Sequence, residues 1–162
     1  MKNFLAASAA ALLLTTGVAH ANDTKATIAQ LDARLSKIGA PKLEGTDKAG
    51  DKAVPGLYFG ARKINNNYDV VDEIKKNTGA TATVFVKDGD EFVRVSTNVL
   101  TPDGKRGIGT QLARNVAYEA VSKGQSYCGP IDVLGTAFDA CYNPIKDASG
   151  KIIGVSYIGH KK

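Results

Sequence analysis

Residues 127–142 read "YCGPIDVLGTAFDACY", almost a mirror about Leu134-Gly135. Tyr127 and Cys128 open the stretch; Cys141 and Tyr142 close it. Two β-rich runs around a two-residue turn predict an antiparallel hairpin. A turn at Leu134-Gly135 sets Cys128 directly opposite Cys141. Opposed positions lie about 4.5–5.5 Å apart, within disulfide reach. The closed loop is short, and the chain-entropy estimate for such a bridge is about 3 kcal/mol. Tyr127 meets Tyr142 on the other face, followed by Gly129, Ile131 and Val133 opposite Ala140, Phe138 and Thr136. That face is mostly apolar and is expected to point inward. The cystine face carries Pro130, Asp132 and Asp139 and is expected to look more toward solvent. These are the only two cysteines of the chain. Without Cys-x-x-Cys spacing, the pair reads as a staple rather than a redox centre.

An oxidised pair requires an oxidising compartment, and the N-terminus supplies the route. Lys2, the apolar run Phe4 to Val18 and the small-x-small site Ala19-His20-Ala21 read as a secretory signal peptide over residues 1–21. The apolar run is shorter than the ~20 residues of a membrane span. The expected product begins near Asn22 and is periplasmic or secreted, a setting that favours disulfides. Residues 22–162 suffice for one domain with a core. Leaving out Lys2 lowers the formal charge from +5 to +4. The charges are scattered, without the clustered basic face and aromatic platforms of a nucleic-acid binder.

Helical spacing of Ile28, Leu31, Leu35 and Ile38 predicts a helix over 24–39, stopped by Gly39 and Pro41. Residues 42–52 mix Lys, Glu, Gly, Thr and Asp and read as a solvated loop; residues 22–52 are taken as helix plus loop. A short helix opens at Tyr68-Asp69 and ends at Asn77-Thr78-Gly79. "TATVFVKDGDEFVRVSTN" (81–98) reads as a hairpin around Lys87 to Asp90. "TQLARNVAYEAVSKG" (110–124) reads as a helix with Thr110 as N-cap and Gly124 as stop. The mirrored hairpin and a last strand, "KIIGVSYIG", follow. Five strands with one crossing helix predict an α+β domain on an antiparallel sheet.

The residues point away from an enzyme. Apart from His20 in the leader, the one histidine is His160. A Ser-His-Asp triad or an ordinary zinc site has little to draw on, so no metal or cofactor is expected. Gly107-Ile108-Gly109 lacks the context of a dinucleotide loop. One residue stands out. Arg94 sits in mid-strand in "EFVRVSTN", and period-two alternation gives it the face of Phe92, Ser96 and Asn98. If buried it needs a partner: a structural carboxylate, or a ligand carboxylate held by the guanidinium fork. Tyr118, Tyr127, Tyr142 and Arg106 with Thr110 can converge on that face. Each tyrosine taken singly also suits core packing.

Residues 53–159, through "VPGLYFGARKINNNYDVV", "FVRVSTN", "GTQL", "SKGQSY" and "YNPIKDASGKIIGVSYIG" in this order, resemble a Cache domain of the Cache 3/Cache 2 fusion type. The resemblance implies a PAS-like five-stranded antiparallel sheet over residues 53–162. It implies a long N-terminal helix on one face and a small-ligand pocket on the other. It implies a sensor role of the kind found in bacterial chemoreceptors and sensor kinases, with short carboxylates, amino acids or similar metabolites as ligands. Arg94 falls on the sheet arginine of the pattern; Tyr127 and Tyr142 fall on hairpin positions flanking the pocket. Ser96, Tyr118 and Arg106 complete the expected ligand set. The cysteine pair departs from the pattern. The expected partners are a small organic anion and a membrane-bound chemoreceptor or sensor kinase, with a homodimer through the N-terminal helix left open. A ligand-free protein-interaction module is the alternative.

Overall fold

A computed structural model describes residues 20–162, with side chains from Asp23 onward. The expected signal peptide lies almost wholly outside the described residues. The chain opens with helix α1, His20–Ile38. Thr24, Thr27, Ile28, Leu31 and Leu35 are buried on one face of it, the stripe that a 3.6-residue period produces. Behind it the backbone turns where Gly39 crosses Gly60. A Cβ at Gly39, at φ 153°, would sit 2.5 Å from the Gly60 Cα, so only glycine fits.

Strands β1 (Pro41–Ala49), β2 (Lys52–Phe59) and β3 (Arg62–Lys63) form a small antiparallel sheet in that order. The solvated loop expected over 42–52 is thus a strand and a tight turn. β1 is an edge strand, mostly exposed, with a register shift between Leu43 and Thr46. Its charges face water, which removes the hydrophobic alternation that marks a strand. Helix α2, Asp69–Thr78, buries Val70, Val71 and Ile74 and ends on Gly79 in the left-handed conformation.

The main sheet comprises β4 (Thr81–Asp88), β5 (Glu91–Thr97), β6 (Tyr127–Val133), β7 (Thr136–Lys146) and β8 (Ile152–Lys161). Its order is β5-β4-β8-β7-β6, and every pairing is antiparallel. The last strand therefore lies at the centre. Both β4 and β8 are covered on two faces, which explains their near-continuous apolar runs. α1 and α2 pack on one face, over a core that includes Val84, Val86, Ile153 and Ile158. Helix α3, Val116–Ser122, and the link before it cover the other face, over Phe85, Phe92, Phe138, Tyr142 and Tyr157.

α3 begins later than the sequence predicts. Its N-cap is Asn115, not Thr110; the Asn115 side chain accepts from the Ala117 and Tyr118 amides. The segment before it runs beside β5 instead: the Arg94 amide donates to the Thr110 carbonyl, and the Leu112 amide to the Phe92 carbonyl.

The mirrored hairpin has the expected register. Tyr127 pairs with Tyr142 and Cys128 with Cys141, through to Val133 with Thr136. Leu134 and Gly135 turn with φ 50° and 85°, the two positive values of a type I′ turn. The disulfide joins Cys128 to Cys141. Its face is not wholly solvated, however. Cys128, Pro130 and Asp132 are exposed, whereas Cys141 is fully buried in the core that β7 shares with α1.

Candidate functional site

Arg94 lies in the interior of β5 and is 3 % exposed. Its backbone is fixed by pairing with Phe85 on one side and by the 109–112 segment on the other. Its guanidinium lies 4.8 Å from the Phe85 ring centroid. Nη1 donates to Thr110 Oγ1 at 2.9 Å and to the Gln111 carbonyl at 3.1 Å. Nε is buried and makes no hydrogen bond, and Nη2 makes none among the described residues. No carboxylate pairs with Arg94 among the described residues, and no described Asp or Glu is fully buried. Burial pushes the guanidinium pKa down from its ordinary value, and the neighbouring Tyr142 and Tyr157 act in the opposite sense.

The rest of this face is aromatic. The Tyr142 and Tyr157 rings lie 4.9 Å apart, and Tyr127 lies 6.4 Å from Tyr142. Burial raises both buried hydroxyls, Tyr157 to about 12 and Tyr142 further, while the charge of Arg94 opposes the rise. Tyr157 shares a 3.2 Å hydrogen bond with Thr81. The Tyr142 hydroxyl has no hydrogen-bond partner among the described residues.

Of the residues expected to join Arg94, Tyr142 lies on its face and Thr110 touches it. Ser96 does not join it. The register runs Phe85 with Arg94 but Val84 with Ser96, so Val95 is an extra residue, a β-bulge. Phe85 and Val84 belong to opposite cores, and Ser96 therefore turns to the helix side, where its hydroxyl donates to the Asn67 carbonyl at 2.6 Å. Asn98 follows it and donates to the Val71 carbonyl. Thr97 takes the vacated parity, paired with Thr83, their hydroxyls 2.6 Å apart.

Arg106 also lies elsewhere. It grips Asp72 with both Nη atoms, at 2.7 and 2.8 Å, donates to the Thr97 carbonyl and stacks on Tyr68 at 4.4 Å. Asp72 raises its pKa. It ties the 98–110 link to α2 on the wall of a cleft of about 360 Å³ that also holds Lys75 and Lys76. Tyr118 meets Phe92 edge-on at 5.8 Å, but its hydroxyl donates to the Asp90 carbonyl at 2.6 Å, at the β4–β5 turn. The Tyr127 hydroxyl folds back to the Pro130 carbonyl at 2.9 Å. Both tyrosines contribute rings to the face and spend their hydroxyls locally.

Phe85, Thr97 and Tyr157 were not singled out by sequence reasoning. Alternation in "TVFVKD" and "GVSYIG" puts Phe85 and Tyr157 on one face, as diagonal neighbours, once β4 and β8 are known to be adjacent. Clefts of about 440 and 320 Å³ flank α1 on the opposite side of the sheet. No group of metal-ligating side chains occurs among the described residues, and no described helix is long and apolar enough to cross a membrane.

The family model described as the Cache 3/Cache 2 fusion domain matches residues 8–162. Comparison with the curated proteins finds no match.

Proposed function

Since the chain belongs to the Cache 3/Cache 2 fusion domain family, whose members are extracytoplasmic sensor and ligand-binding modules rather than enzymes, we propose that it binds a small organic anion, through Arg94, and presents it to a membrane-bound chemoreceptor or sensor kinase. The observation that carries this reading is the unused Nε–Nη2 edge of a buried arginine without a carboxylate. A guanidinium binds a carboxylate through two parallel N–H donors. Nη1 already holds the Thr110–Gln111 segment, so a ligand carboxylate takes the other edge without breaking that tether. Between short carboxylates and amino acids, the lack of an Asp or Glu paired with Arg94 among the described residues favours the former. An ammonium group placed beside Arg94 would be desolvated next to a like charge with no counter-ion. Export ahead of binding, with cleavage near Ala21, belongs to the same proposal.

The test is thermal melting of protein that has been unfolded and refolded to strip bound ligand. Matched probes, propionate with alanine and 3-phenylpropionate with phenylalanine, report the preference. At a hundred times its dissociation constant a ligand adds about 2.7 kcal/mol, a shift of several degrees. Stabilisation by the acids and not by their amino analogues supports the carboxylate reading. Stabilisation by the amino acids alone corrects the ligand class. Silence across the panel removes the ligand reading and leaves a protein-interaction module. That second reading is favoured by one observation: the three clefts described lie away from the nearly inaccessible Arg94.

A further inference from the structure

The two sulfurs of the cystine stand in different surroundings. Cys141 is fully buried in the core that α1 shares with the sheet. Cys128 is exposed and lines a cleft of about 440 Å³, whose other walls are Thr24 and Lys25 of α1 and Gly129, Pro130 and Asp139 of the hairpin. Thiol–disulfide exchange proceeds by attack of a thiolate on one sulfur, with expulsion of the other. The attacking thiolate must reach its target from the side opposite the leaving sulfur. Cys128 borders the open cleft, whereas Cys141 is enclosed by packed core.

We propose that this disulfide is opened and closed through Cys128 alone, with the α1–hairpin cleft as the entry site for an external dithiol. In reduction, the dithiol's thiolate forms a bond to Cys128 Sγ. The Cys128–Cys141 bond breaks, and its electron pair leaves on Cys141 Sγ, which then takes up a proton. The second thiol of the reagent attacks the reagent's own sulfur in the mixed disulfide and releases Cys128 as a thiol. The cystine gains two electrons and two protons, and the dithiol becomes a disulfide. Oxidative closure is the reverse: the donor's mixed disulfide forms on Cys128, and Cys141 resolves it. The cleft wall carries a cation, Lys25, and a carboxylate, Asp139, the latter paired with Lys162 at 3.3 Å. The buried Cys141 is a poor leaving group, so the bond is opened slowly and from one side only.

Single-cysteine variants test this with Ellman's reagent under native conditions. In Cys141→Ser the remaining Cys128 thiol is expected to react like an exposed thiol. In Cys128→Ser the remaining Cys141 is expected to react at least roughly 100-fold slower, because it must await a local opening; denaturant removes the difference. Equal rates, or a faster Cys141, would overturn the proposal. Should a variant fail to fold, wild-type protein is exposed to the monothiol cysteamine, quenched in acid and mapped by mass spectrometry. The cysteamine adduct is expected on Cys128. An adduct on Cys141, an even division, or no adduct in native protein while unfolded protein reacts, overturns it equally.

Discussion

At the scale of single residues, Arg94 and Ser96 make a pair of opposites two positions apart. Arg94 is buried with one donor edge unused; Ser96 is buried with its hydroxyl committed to the Asn67 carbonyl. If the free edge of Arg94 holds a ligand carboxylate, Arg94→Ala loses a charge-assisted contact of about 1.5–3 kcal/mol, or roughly ten- to hundredfold in affinity. Arg94→Lys retains charge without the fork and is expected to recover little of that affinity. Ser96→Ala is expected to leave affinity within about twofold while lowering stability by about 1 kcal/mol. Titration calorimetry with propionate and thermal melting separate the two effects. Equal losses of affinity in Arg94→Ala and Ser96→Ala would mean that the site is not on the Arg94 face. The sequence places Arg94 correctly at mid-strand and pairs Tyr127 with Tyr142, because both follow from local alternation and turn geometry. It misplaces Ser96 because the bulge has no local signature. "FVRVST" contains no glycine, and the Val95 carbonyl is taken instead by the amide of Asn66, a residue at φ 59° in a remote loop. A partner 29 positions away decides the parity of the strand.

At the scale of elements, what was legible is what carries an apolar period. α1, α2 and the strands of the main sheet bury continuous or periodic apolar positions. β1 is legible only through its partner, since most of its residues are exposed and its apolar positions do not alternate along its length. The link over 98–115 is legible only as a series of local turns: the contacts that place it, to β5, α2 and Arg94, are remote in sequence. The docking of α1 rests on a polar contact as well as on its apolar stripe. Asp32 accepts from Ser156 Oγ of β8 at 2.5 Å and from Asn143 Nδ2 of β7 at 2.6 Å. Burial raises its pKa, and the two hydrogen bonds oppose the rise without cancelling it. Among the described residues no cation pairs with it: Arg34 pairs with Glu73 of α2, and Lys146 lies across the cleft, which Asp32 also lines. A carboxyl whose folded pKa exceeds its unfolded value near 3.8 binds more protons when folded than unfolded. Its contribution is fully present below the unfolded pKa and is lost as pH rises through the folded one. Urea unfolding at pH 4 and pH 7 is therefore expected to show wild type losing stability, relative to Asp32→Asn, as pH rises. The opposite slope would mean that Asp32 is held charged by a partner.

At the scale of the whole molecule, one sheet separates two cores, and β8 closes it from the centre. The cystine sits at the β6 edge of that sheet, across a hairpin whose register is already set by the type I′ turn, by the paired tyrosines and by the bonds of β7 to β8. In the folded state it is thus largely redundant, and its effect belongs to the unfolded chain, where it removes the freedom of the loop it closes. Replacing it by Cys128→Ser with Cys141→Ala, which puts a polar side chain at the exposed position and an apolar one at the buried position, is expected to cost about 3 kcal/mol. For a domain of this size that lowers Tm by about 10 °C. Because the unfolded chain becomes more expanded, the urea m-value is expected to rise. The near-ultraviolet dichroism of the Tyr127–Tyr142–Tyr157 stack should persist in the folded variant, since its pairing does not depend on the bridge. Loss of that tyrosine signal at temperatures where the backbone remains folded would reverse the argument. The cystine would then be holding the native register of the hairpin, and the aromatic face around Arg94 would depend on the oxidation state of Cys128.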